Sequence, residues 1–204
     1  TCHVCSDLDV AVGKDLTTWA AQGYYNLELQ PVITVNMDYL KPATSASLIV
    51  AQKAPDKWVD FHHALLAYFA SQYQASNGTV VQNLEASWKQ VKTIAAEVGV
   101  PSDVIDTFPL NAAEDYLKAS TTAWQNANYS GRNNGLGTPE LIKDHSTVIA
   151  LHTPLTSAKQ TIAEVFGITD SASPVPTETP APEATEPSQS GAGEAQSSET
   201  TDST

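Results

Sequence analysis

Thr1-Cys2-His3-Val4-Cys5 opens the chain and holds the only two cysteines among its 204 residues. Two thiols separated by two residues, followed by a helix-compatible run, have the form of a dithiol/disulfide redox centre. With Cys2 at the start of that helix, the free amide N–H groups and the positive end of the dipole favour its thiolate, which is the reactive species. Cys5, one turn later on the same side, is placed to close the disulfide by attacking a mixed disulfide. A protonated His3 adds positive charge beside Cys2, Asp7 and Asp9 oppose it, and the net shift of Cys2 is expected to be downward. The same spacing also supplies half of a zinc site. That alternative needs ligands from His3, His62, His63, His145 or His152, none of which forms a second pair at ligand spacing. His62 and His63 are adjacent, diverge by about 100° on a helix, and read as satisfied or solvated. A plain structural disulfide is the third reading.

Composition narrows the partners. The net charge is −13, and seven of the 23 acidic residues but none of the ten basic ones lie between Asp170 and Thr204. That stretch has no Leu, Ile, Phe, Tyr or Trp and is rich in Pro, Ser and Thr. It cannot bury enough apolar surface to offset its ordering entropy, so residues 169–204 are expected to be a disordered acidic tail. The remaining body, with sixteen acidic against ten basic residues, argues against nucleic acid as a partner. No apolar run reaches the roughly 18 residues that span a membrane.

Periodicity places the elements. Leu8, Val12, Leu16, Trp19 and Ala20 predict a first helix over residues 5–22, with Gly13 as a weak point and Gly23 as its cap. Residues 26–35 alternate and then become apolar, predicting a strand, with Pro31 hinting at an edge or bulge. Helices are predicted over 45–54 (capped by Thr44 or Ser45), 56–72 and 81–98, with another turn or two after Pro101. A further helix, capped by Asn111, runs to about Asn128, with Ala112, Tyr116, Ala119, Ala123 and Trp124 inward. A polar, glycine-rich loop, Ser130 to Pro139, precedes a hairpin formed by residues 140–142 and 147–151. Leu155 to Phe166 closes the body as a helix.

Dithiol, helix, strand, helical block, helix, Gly-Thr-Pro, hairpin, helix is the order of a thioredoxin fold with helices inserted after a strand. Four segments carry a resemblance to the DsbA-like thiol:disulfide oxidoreductases: Cys2-His3-Val4-Cys5, Lys57-Trp58-Val59-Asp60-Phe61-His62, Ala95-Ala96-Glu97-Val98-Gly99-Val100 and Gly135-Leu136-Gly137-Thr138-Pro139. The resemblance covers residues 1–168 and implies an α/β, thioredoxin-like fold with a helical insertion over about 41–108. It further implies a cis bond at Thr138-Pro139 lying against the dithiol, with the Thr138 backbone pairing with an extended substrate. Cys2 and Cys5 would be catalytic, His3 would tune the thiol, and neither metal nor organic cofactor is implied. The dipeptide between the cysteines departs from the family: it is His-Val, where strongly oxidising members resemble Pro-His.

The expected function is extracytoplasmic oxidation of reduced, secreted protein substrates, with a membrane thiol reoxidase as second partner. Disulfides persist outside the cytosol, and the acidic tail suits a secreted or membrane-anchored, cell-surface protein. A reductase of the same fold, or a redox-inactive binding domain with a structural disulfide, are the alternatives. The resemblance also leads one to expect a hydrophobic strand upstream of Thr1, preceded by a linker and a signal or anchor.

Overall fold

Leu8, Val12, Leu16 and Trp19 recur every three or four residues, and the segment that carries them is helical from His3 to Ala21. The computed structural model describes residues 2–74, 78–132, 135–151 and 155–169. In it the first rod consists of α1 (His3–Leu8), a π-helical stretch Asp9–Gly13 and α2 (Lys14–Ala21). Leu8, Val12 and Trp19 are buried against Ala158 and Ile162 of the last helix. Gly23, at φ +85°, ends the rod: its N–H and that of Tyr24 turn back to the carbonyls of Ala20 and Trp19, which satisfies two orphan acceptors. Gly13 is more than a weak point. A Cβ there would collide with the Asp9 carboxylate and stand 2.9 Å from His63 Cε1, so the π-bulge closes only around a glycine.

Next come α3 (Leu40–Lys53), α4 (Pro55–Gln74), α5 (Leu84–Glu97) and the short α6 (Ser102–Ile105). They share one core around Tyr39, Val50, Phe61, Phe69, Val91 and Ile94. The buried Tyr39 hydroxyl donates to the Leu65 carbonyl at 3.0 Å. α3 starts five residues before the expected cap. Pro42 falls in its first turn, where no N–H is needed, and Thr44 and Ser45 are buried inside the helix. Ser45 Oγ instead accepts from the amides of Ala112 and Ala113. α4 packs directly on α1 and on the π-helical stretch, so the helical block backs the dithiol.

The strand expected over 26–35 is not formed. Leu27 and Leu29 are half-buried between exposed neighbours, as the alternation implied, but no β-ladder covers them. The hydroxyls of α7 (Glu114–Asn126) serve instead: Ser120 donates to the Pro31 carbonyl at 2.7 Å, and Thr121 accepts from Ile33 N–H at 2.9 Å. α7 is also rotated one residue from its expected face. Trp124 is buried as expected, but Leu117 and Ser120 are buried with it, while Ala112, Tyr116, Ala119 and Ala123 are exposed. Polar tips that find partners let Ser120 and Trp124 face inward. Asn111 does not cap the helix but donates its amide to Glu114.

The hairpin pairs β1 (Leu141–Lys143) with β2 (Thr147–Ile149) antiparallel, Ile142 opposite Val148. Asp144 and His145, at φ +51° and +52°, make the turn, a geometry matching the twist of the strands. Ser130 bonds alongside β2, through Ser130 N–H to the Ser146 carbonyl and Val148 N–H to the Ser130 carbonyl. A 3₁₀ turn, Leu155–Ser157, leads into α8 (Ala158–Phe166). Among the described residues, β1 and β2 form the only ladder. The contacts divide the chain into Thr1–Ala172 and Ser173–Thr204, and the fold described is that of the first. The expected acidic tail lies, apart from Thr169, outside the described residues.

Candidate active site

Cys2 is the N-cap of α1, with extended backbone (φ −131°, ψ 131°). Both cysteines are free and half-buried. The Cys5 thiol, hydrogen-bonded to Cys2, does most to lower the Cys2 pKa; burial opposes it, and the Thr138 side chain and the backbone amides of Cys5 and Val4 add to the lowering. The net effect carries Cys2 from its ordinary 9.0 to about 5. Cys5 is pushed strongly upward by the same hydrogen bond and by burial. The pair titrates as a unit: the first proton leaves at Cys2, and Cys5 retains the second.

Thr138 and Pro139 meet this pair from the far side of the sequence. The Thr138–Pro139 bond is cis, as the resemblance implied, and the protonated Cys2 thiol donates to the Thr138 carbonyl at 3.3 Å. Once that proton is lost, the Cys5 thiol, the Thr138 side chain and the helix-start amides are the partners of the sulfur. His3, the third residue of the motif, lies flat on Tyr73, with ring centroids 4.2 Å apart and planes 3° apart. Tyr73, half-exposed at the end of α4, also borders a cavity of about 270 Å³ lined by Met37, Phe69 and Val81.

Two neighbouring clusters were not legible in the sequence. Beneath the dithiol, His63 Nδ1 meets the Asp9 carboxylate at 2.9 and 3.0 Å, and its Nε2 lies 3.4 Å from Thr17 Oγ1. His62 Nε2 is 3.8 Å from the same carboxylate. Burial lowers the His62 pKa against the pull of Asp9, with His63 adding to the lowering. The His62-His63 doublet was visible in the sequence, but its partner lies 54 positions away. At the other flank Arg132 pairs with Glu140, the residue after Pro139. The signal there was composition: Arg132 is the only arginine in the chain.

Among the described residues no group of three or more His, Cys, Asp or Glu side chains is arranged to hold a metal ion, and no helix is long and apolar enough to cross a membrane. His152 lies outside the described residues. Compared with family models, with curated proteins and with solved structures, the chain matches none.

Proposed function

We propose that the protein is a thiol:disulfide oxidoreductase of thioredoxin-like design, acting outside the cytosol to transfer a disulfide from Cys2–Cys5 to reduced protein substrates. One observation carries this reading: two half-buried cysteines stand one turn apart, the first at the N-cap of α1 and against the Thr138 carbonyl, in surroundings that draw Cys2 down to about 5 and push Cys5 upward. A structural disulfide has no use for that asymmetry, and an exchange centre depends on it.

The steps balance. A substrate thiolate attacks Cys2 Sγ of the oxidised protein; the Cys2–Cys5 bond breaks, and Cys5 leaves and takes up a proton. A second substrate thiolate then attacks the substrate sulfur of the mixed disulfide, and Cys2 leaves as a thiolate. Two substrate thiols are oxidised, and Cys2 and Cys5 together gain the two electrons. A membrane thiol reoxidase would restore the disulfide. Thr138 would offer its backbone to the extended substrate, and His3, on Tyr73, would border the reacting sulfur.

A thiolate stabilised to about 5 favours the reduced form of the protein, and stabilisation of the reduced form makes a dithiol an oxidant. Equilibration with glutathione tests this directly. A reduction potential near about −120 mV is expected of the oxidase, whereas a value near about −270 mV would turn the reading to a reductase. Absence of exchange with any unfolded protein, reduced or disulfide-bonded, would leave only the structural-disulfide reading.

A further inference from the structure

Glu140 follows Pro139 directly and precedes β1, so whatever holds its carboxylate helps to fix where Thr138 stands. That carboxylate is nearly buried, with 9% of its side chain exposed, as is its partner Arg132 at 11%. Arg132 Nε donates to Oε1 at 2.8 Å and Nη2 to Oε2 at 2.6 Å, a fork-to-fork pair that fixes angle as well as distance. Trp124 Nε1 donates to Oε2 at 2.7 Å. The remaining arm of the guanidinium, Nη1, donates to the carbonyls of Trp124 and Ala127 at 3.1 and 2.6 Å. These acceptors sit at the C-terminal end of α7, where a cation is favoured. The Tyr129 ring packs on the guanidinium, 4.6 Å from its centroid. Every nitrogen of the chain's single arginine is therefore engaged, and the two ends of the segment carrying Thr138-Pro139 are joined.

We infer that the Arg132–Glu140 pair is a positioning clasp for the proposed exchange reaction, holding the Thr138 carbonyl and side chain against Cys2 so that substrate docks in register. The inference rests on the oxidoreductase reading. A buried ion pair is a poor device for stability alone, since apolar groups of the same shape often do as well, and its attested use is to fix one arrangement. Glu140 is two residues from Thr138, and the Thr138 carbonyl stands 3.3 Å from Cys2 Sγ. Slippage of about an ångström at a reacting centre costs up to about a hundredfold in rate. Lysine keeps the charge but cannot supply the fork or reach both helix carbonyls. Glutamine at 140 keeps an acceptor for Trp124 and loses the charge.

The test compares Arg132→Lys and Glu140→Gln with wild type in two readouts: kcat and KM for oxidation of a reduced, unfolded protein with glutathione disulfide as the terminal oxidant, and the pH midpoint of Cys2 alkylation by iodoacetamide. In Arg132→Lys, KM should rise about tenfold with kcat changed less than about threefold, and the Cys2 midpoint should move upward as the Thr138 side chain, which favours the thiolate, withdraws. Glu140→Gln should move both in the same direction by less. An Arg132→Lys protein that melts earlier but keeps wild-type KM and the wild-type midpoint would overturn the clasp, leaving the pair purely structural. If Arg132→Lys does not fold, Glu140→Gln decides by the same two readouts, unchanged values overturning the claim. If wild type transfers no disulfide at all, the oxidoreductase reading falls. The Cys2 midpoint alone then decides: a shift supports the clasp and constancy overturns it.

Discussion

At the scale of single residues, the chemistry is concentrated in the difference between Cys2 and Cys5. Iodoacetamide alkylates thiolate, so the Cys2 alkylation rate in the reduced protein should be flat above its midpoint and fall tenfold per pH unit below it. That midpoint is expected near about 5; one near 9 would remove the asymmetry. The same shift is linked to stability. The folded Cys2 pKa lies below its unfolded value, so its contribution is complete above about pH 9, shrinks as pH falls, and is gone below about 5. Cys5, shifted the other way, loses its contribution only as pH rises above its ordinary 9.0. The melting temperature of the reduced protein should therefore rise between pH 5 and 9, and Cys2→Ser should flatten that rise. Cys2 and Cys5 were legible in the sequence because their spacing carries its own chemistry, whereas Thr138 and Pro139 were singled out only through the family resemblance. Asp9–His63 and Arg132–Glu140 were not legible, because an ion pair is a property of two distant positions and neither partner announces the other.

At the scale of elements, the π-bulge shows where periodicity gives out. Leu8, Val12, Leu16 and Trp19 keep helical spacing across Asp9–Gly13, so the pattern predicts an ordinary helix and misses the widened turn. Only the Gly13 contacts reveal that Asp9 folds over the helix to meet His63. Gly13→Ala would help an exposed helix through propensity, but here the added methyl must push aside the Asp9 carboxylate, which is held by His63. It should destabilise the protein by about 1–3 kcal/mol, read as a lower urea midpoint at unchanged slope. A stabilised Gly13→Ala would mean that the bulge is not constrained by Asp9. The segment over 26–35 teaches the converse lesson. Its alternation forecast which side chains turn inward, but a ladder requires a partner, and here the hydroxyls of Ser120 and Thr121 satisfy the backbone.

At the scale of the whole molecule, the helices between the dithiol and the Thr-Pro segment pack on the dithiol-bearing rod through α4. His3 reaches Tyr73 and Asp9 reaches His63, both on that helix. These helices were legible as a block because Phe61, Phe69, Val91 and Ile94 fall at core spacing, and a long run of such periods has few alternatives. How the block meets the dithiol was not legible, since it depends on crossings between distant helices. The central claim is that Cys2 is the exchanging sulfur and Cys5 the resolving one. Its most direct test is to incubate Cys5→Ala and Cys2→Ala separately with a reduced, unfolded protein under mild oxidant and to measure covalent adducts by mass spectrometry. Cys5→Ala should accumulate a stable mixed disulfide at Cys2, and Cys2→Ala little or none. Equal trapping in the two variants, trapping only through Cys5, or no adduct in either would contradict it.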